Sequence, residues 1–281
     1  SGMQEFTGKV AVVTGAANGI GFALAERFAR EGMRVALADV HQPSLDAAAE
    51  RLRSAGATVL AHQTDVADAA SVEALAERVY QEWGAVHVLC NNAGVGTVTT
   101  DRAWEHSPET WRWLLNINLF GVIHGIHAFV PRMREGGQEG QILNTASSAG
   151  LNPGVAGMAP YSASKHAVVA ITESLAAELK AEGAALRASV LCPTWVNTDM
   201  GIHSERERSR IMRDAAMPVP PLAMSSMPGV MEPSTVAQAV IEGIRGEQLY
   251  ILAGSAESFE RMVLRHRQLE EAAGKAAPKA K

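Results

Sequence analysis

The sequence predicts an α/β fold: a doubly wound parallel sheet of about seven strands, with helices on both faces, in a single domain. Three observations predict it. Short β-branched runs alternate with longer stretches of helical periodicity along nearly the whole chain. The first such run leads at once into a glycine-rich turn, Thr14-Gly15-Ala16-Ala17-Asn18-Gly19-Ile20-Gly21. The chain has 281 residues, 47% hydrophobic and 20% charged, which suffices for one large core.

The elements follow in order. KVAVVT is the first strand, and its helix runs to about Arg30. MRVALAD is followed by the helix PSLDAAAERLRSAG, TVLAHQTD by DAASVEALAERVYQEWG, and VHVLCNN ends the first half. A long helix from about Pro108 to Arg134, the strand QILNTAS, a helix beginning near Tyr161 and the strand RASVLC continue the rhythm. After Cys192 it breaks. Residues from about 194 to 232, rich in Pro, Met and Ser around the charged run SERERSRIMRD, read as a lid rather than a second domain. The helix PSTVAQAVIEGIR and the strand QLYILAG resume the alternation, which puts the catalytic domain at residues 4–260. The tail 261–281 is expected to be partly disordered, and Ser1-Gly2-Met3 to be a tag-cleavage remnant outside the fold.

Composition narrows the function classes. The net charge of −5 and the lack of a basic block interleaved with aromatics argue against a nucleic-acid partner. No apolar run approaches the roughly 20 residues of a membrane span, and the N-terminus has no signal-like core, so a cytoplasmic protein with no membrane partner is expected. Cys90 and Cys192 each end an apolar strand-like run and read as buried, reduced thiols. His124, His127 and His166 have no carboxylates at ligand spacing, so no metal site is expected.

The glycine-rich turn stands between a strand and a helix, where Gly15, Gly19 and Gly21, flanked by Asn18 and Ile20, would allow a tight turn and close approach of a pyrophosphate to a helix N-terminus. Asp39 closes the second strand, where a carboxylate accepts both ribose hydroxyls of NAD and repels the extra phosphate of NADP. Neither Asn18 nor Val40 offers a compensating cation, so NAD is the expected cofactor.

In the stretch PYSASKHAVV, Tyr161 and Lys165 stand four apart and share one helical face. A tyrosine with a pKa near ~10 holds little phenolate at neutral pH; one charge at ~4 Å in an effective dielectric of ~20 is worth about 4 kcal/mol, or roughly three pKa units. That pairing alone is expected to bring Tyr161 into a useful range for proton transfer.

TGAANGIG, the NNAG of Asn91 to Gly94, Asn118 in NINLFG, a serine after the fifth strand, and YSASK occur in this order and together resemble the short-chain dehydrogenase/reductase family from about Gly8 to Gly254. The resemblance implies a Rossmann-type fold. It implies Tyr161 as acid/base, Lys165 as its activator, Asn118 in a proton relay through water and the lysine, and a serine as substrate anchor. Counting forward through NTASSAGL favours Ser147, with Ser148 as the alternative. It also implies that Asp65 and Val66 contact the adenine, that Asn91, Ala93 and Gly94 flank the cofactor ribose, and that Pro193, Val196 and Thr198 hold the nicotinamide end beside Tyr161 and Lys165. Thr194 stands where the family usually has glycine, which leaves the backbone path there open.

The activity so implied is interconversion of a secondary alcohol and a ketone with NAD, on a hydrophobic or aryl small molecule. The lid methionines at 200, 212, 217, 224, 227 and 231, and Trp195, are candidates for lining its pocket. The helices from Pro108 and Tyr161 present apolar surface that the family commonly pairs between subunits, so a homodimer or homotetramer is expected. An NAD-binding regulatory or scaffold protein without catalysis is the competing reading, against which Asn118, Ser147, Tyr161 and Lys165 all stand intact.

Overall fold

A computed structural model describes residues 2–96, 99–219 and 227–276. Among these, seven strands form one parallel sheet: β1 (Val10–Thr14), β2 (Arg34–Asp39), β3 (Val59–Gln63), β4 (Val88–Asn91), β5 (Gly140–Thr145), β6 (Leu186–Pro193) and β7 (Tyr250–Ala253), in the order β3-β2-β1-β4-β5-β6-β7. β1, β4 and β5 are buried throughout, as expected for the middle of a sheet covered on both faces. Side chains leave β1 alternately for two cores. Ala11 and Val13 join Phe22, Phe28, Leu45 and Val240 from α1 (Gly19–Arg30), α2 (Gln42–Ser54) and α8 (Pro233–Arg245). Val10 and Val12 join Leu75, Trp113, Phe129 and Leu179 from α3 (Ala69–Trp83), α4 (Pro108–Leu115), α5 (Gly121–Gly136) and α6 (Ala159–Ala181).

The strand order reverses between β1 and β4, so the chain leaves a crevice at their carboxyl ends, where such sheets bind ligands. The loops that follow these two strands meet there: a Cβ on Gly15 would lie 2.8 Å from Ala93 Cα.

Three expectations change. The stretch Pro108–Gly136 is one continuous 29-residue helix, long and apolar enough by composition to cross a membrane, although the sequence reading had found no run of that length. Its apolar window is 56% buried, with Trp113, Leu114, Ile117 and Phe129 inside the domain's own core, so its apolarity serves packing on the sheet. Gly2 and Met3, read as lying outside the fold, are buried, Met3 within the core and Gly2 against the end of α8. Residues 261–276 of the tail belong to the helix α9 (Glu260–Ala276), none of whose residues is buried; residues 277–281 lie outside the described residues. In the lid, α7 (Met200–Met212) is a helix, and residues 220–226, with Met224, lie outside the described residues.

Candidate active site

The cradle is built by crowding. Gly15 and Gly19 have φ of +62° and +55°, a region that favours glycine, and a Cβ on Gly21 would fall 2.0 Å from the Gly15 carbonyl oxygen. Asn92 and Thr14 stitch this loop to the β4 loop: Asn92 N–H and Ala93 N–H donate to Thr14 Oγ1 at 3.0 and 3.1 Å, and Asn92 Nδ2 donates to the Thr14 carbonyl at 3.2 Å. Thr145 Oγ1, at the end of β5, donates to Asn92 Oδ1 at 3.0 Å. Asn91 is turned away from the groove, with Nδ2 on Asn144 Oδ1 at 2.9 Å inside the sheet.

Asp39 Oδ2 accepts from Ala17 N–H at 3.1 Å and Oδ1 from His41 N–H at 3.0 Å, which fixes the carboxylate beside the glycine loop with acceptor capacity to spare. Asn18 caps α1 without a side-chain bond, and Ile20 is half-buried in its first turn. Arg51, on α2, stacks 4.6 Å above the Phe22 ring and lines the same cleft as Asn18 and Gly19; no spacing in the sequence pointed to it. Further along, Val66 packs under Gly121, and Asp65 Oδ1 accepts from Ala67 N–H at 3.0 Å. These residues fit a dinucleotide: the cradle admits no side chain where a pyrophosphate would approach, and a carboxylate is held at the ribose end.

The candidate proton-transfer residues come from three elements. Between α4 and α5 the helix widens into a π turn, Asn116–Phe120, that carries Asn118 into the interior, where it is 1% exposed. Asn118 Oδ1 accepts from Val95 N–H at 2.8 Å, while Nδ2 donates to the Val95 carbonyl at 2.9 Å and to Ser164 Oγ at 3.1 Å. Ser164 Oγ in turn donates to the Tyr161 carbonyl at 2.7 Å. Lys165, 3% exposed, donates from Nζ to the Thr145 carbonyl at 3.2 Å and stands 5.7 Å from the centre of the Tyr161 ring. A Cβ on Gly94 would lie 3.2 Å from Asn118 Oδ1 and 3.4 Å from Lys165 Nζ, so the two flank that glycine.

Ser147 is near enough to the Tyr161 phenol to oppose the rise in its pKa, whereas Ser148 starts the short turn Ser148–Gly150. Ser147 Oγ also accepts from Ala149 N–H at 3.1 Å.

In the protein alone, the drop in the Tyr161 pKa expected from Lys165 does not occur. Burial pushes the phenol above its ordinary value, opposed by the nearby Ser147 hydroxyl, and burial pushes Lys165 down to about 8. The ammonium is buried with the phenol and turned to the Thr145 carbonyl, so removal of both groups from water outweighs their attraction. The lysine therefore supplies a titratable charge near neutrality, and the phenol needs further positive charge to become a base.

At the end of β6, Pro193 and Val196 are buried, and a Cβ on Gly19 would lie 3.2 Å from Thr198 Cγ2, so this segment borders the glycine loop. Thr194 is accommodated by a glycine opposite. A Cβ on Gly254 would lie 2.6 Å from Thr194 Cγ2 and Oγ1, and Thr194 N–H donates to the Ala253 carbonyl at 2.9 Å. Trp195 is 64% exposed. The lid helix crosses the groove: Ser204 Oγ accepts from Gly96 N–H at 2.8 Å, and Arg210 reaches Asp65 at 3.3 Å. Among the described residues, no group of three His, Cys, Asp or Glu side chains stands together at metal-binding range.

With this geometry in hand, comparison with known proteins is informative. The family model described as short chain dehydrogenase matches residues 9–209. The chain is 43% identical over 192 residues to the 1-deoxy-11-beta-hydroxypentalenate dehydrogenase of Streptomyces exfoliatus, covering 68% of this chain and 69% of that one. It is 33% identical over 208 residues to the 3beta-hydroxysteroid dehydrogenase 2 of Eggerthella lenta, covering 74% and 78%. The structure of a short chain dehydrogenase/reductase from Burkholderia phymatum in complex with NAD superposes with a TM-score of 0.87 at 38% identity, covering 96% of this chain and 97% of that one.

Proposed function

Because the chain belongs to the short-chain dehydrogenase family, whose members act on hydroxyl and keto groups, we propose that it is an NAD-dependent oxidoreductase interconverting a secondary alcohol and a ketone on a hydrophobic or aryl small molecule. The observation that carries this reading is convergence: Asn118 and Lys165 flank Gly94, Tyr161 stands beside Lys165 and Ser147 near the phenol, next to a crowded glycine cradle. Asp39 supports NAD as the cofactor, as does the NAD complex of the similar Burkholderia phymatum protein. Relatives named for a hydroxypentalenate and a hydroxysteroid support a bulky apolar substrate. The exposed Phe120 and the apolar helices around it support a homodimer or homotetramer, and a cytoplasmic setting belongs to the same proposal.

When bound, the nicotinamide accepts or donates hydride. The chain's residues do the rest. Ser147 Oγ holds the substrate oxygen at the Tyr161 phenol. Tyr161 takes the hydroxyl proton as the alcohol is oxidised and returns it in the reverse direction. Lys165 favours the phenolate form, and Asn118 fixes the backbone at Val95 and, through Ser164, the turn of helix that carries Tyr161.

A panel of secondary alcohols assayed with NAD, read by absorbance of the reduced nicotinamide, tests the proposal. Turnover of bulky apolar alcohols is the expected result. Inactivity across the panel, despite tight NAD binding, would favour the regulatory or scaffold reading. NADP affinity within about tenfold of NAD, a difference of about 1.4 kcal/mol, would shift the specificity argument from Asp39 to Arg51.

A further inference from the structure

α9 lies outside both helix layers and buries no residue, yet one of its side chains reaches the active-site loop. Met262 and Arg265, three apart on one face, are its half-buried positions. Arg265 Nη1 donates to the Leu151 carbonyl at 3.3 Å and the Asn152 carbonyl at 3.4 Å, and contacts His166 Nε2. His166 follows Lys165 directly on α6, and its Nδ1 is 2.8 Å from the Ser162 carbonyl oxygen. A single guanidinium thus ties the end of the serine loop to the helix that carries Tyr161 and Lys165.

The loop is a short lever. Ala149 N–H and Gly150 N–H donate to Ser147 Oγ and its carbonyl at 3.1 and 2.8 Å, and Leu151 and Asn152 N–H both donate to the Ser148 carbonyl at 3.0 and 2.8 Å. On its inner side it is wedged against α6, since a Cβ on Gly150 would lie 2.6 Å from the Lys165 carbonyl oxygen. Its outer side is held by Arg265. Asn152 Oδ1 is buried with no partner among the described residues, so the loop's own side chains do not fasten this end there.

We infer that Arg265 is a positioning residue: from the C-terminal helix it clamps residues 147–152 against α6 and so sets how Ser147 presents the substrate oxygen to Tyr161. The inference rests on the proposed role of Ser147. It makes α9, unburied as it is, a part of substrate fit while leaving the cofactor cradle untouched.

Arg265→Ala and Arg265→Lys test it in the full chain by two readouts. Hydrogen exchange at the amides of 149–152 is expected to quicken about tenfold in Arg265→Ala, the scale of one lost hydrogen bond to a charged group, with exchange in β1 and β4 unchanged. With an alcohol that the wild type oxidises, KM is expected to rise about tenfold while NAD affinity stays the same, and Arg265→Lys is expected to recover part of the loss because it keeps the charge. Unchanged exchange at 149–152 would overturn the clamp. Accelerated exchange with an unaltered KM, or a rise in KM matched by lost NAD affinity, would overturn its role in substrate fit. If the wild type oxidises no alcohol in the panel, the proposed function fails, and the exchange measurement still decides whether Arg265 holds the loop.

Discussion

Asn118 is 1% exposed and uses both ends of its amide, on the Val95 backbone and on Ser164; Arg210, on the lid helix, has a side chain 48% exposed and reaches Asp65 at 3.3 Å. Around Asn118 the floor of the site rests on such buried, paired groups, where removing one partner strands another away from water. The outer face of α7 is held by the Arg210–Asp65 ion pair in solvent, where salt screens the attraction and water replaces it at little cost. Arg210 follows this pattern on the outer face; on the inner face Ser204 and Glu205 are buried, and Glu205 pairs with Arg208 at 2.7 Å with side chains 2% and 13% exposed. The contrast assigns different work to each region. The proposed proton transfer needs fixed distances and is assigned to the floor, while the outer face of a helix held by surface pairs can reshape over different substrates at low cost.

The contrast can be broken at several points. The largest stability effect is expected for Asn118→Ala, which strands the Val95 N–H and carbonyl and should lower unfolding free energy by about 2–4 kcal/mol in chemical denaturation. Next comes Lys165. Its pKa in the fold, about 8, lies below the ordinary 10.5, so the folded chain gives up this proton first. The cost of burying the ammonium is fully present below pH 8 and is relieved as pH rises toward 10.5. Between about pH 7.5 and about pH 9.5 the wild type should therefore gain about 2 kcal/mol relative to Lys165→Met, measured by denaturation of both at both pH values. The smallest effect is expected for Arg210→Ala: about 0.5 kcal/mol or less, vanishing at about 1 M salt. A loss of several kcal/mol there would mean that the lid is as firmly built as the floor.

Much of this architecture was legible in the chain. Alternating apolar runs identify the strands because both faces of a parallel sheet are buried, and Gly15, Gly19 and Gly21 identify the cradle because backbone crowds Gly15 and Gly21 and a positive φ favours glycine at 15 and 19. Tyr161 and Lys165 were legible from spacing four on one helix. Contacts made across long sequence separations were not. That Asn92 and Thr14 stitch two loops together, that Gly254 makes room for Thr194, and that Arg265 reaches the serine loop are consequences of packing, and local pattern carries no trace of them. The NNAG run held a partial signal for Asn92, whose neighbour Asn91 turns into the sheet. The π turn at Asn118 hides inside a stretch with ordinary helical periodicity. The pKa of Tyr161 was misjudged for a related reason: spacing supplies the distance between charges and says nothing of the burial that opposes them.

The central claim is that the Tyr161 phenol carries the proton of the reacting alcohol. Tyr161→Phe keeps the ring and removes the hydroxyl, so turnover with NAD on an alcohol that the wild type oxidises is expected to fall by roughly 10²–10⁴, the span of a lost general acid–base group, while NAD affinity by calorimetry stays within about twofold. Near-normal turnover in that variant would contradict the account.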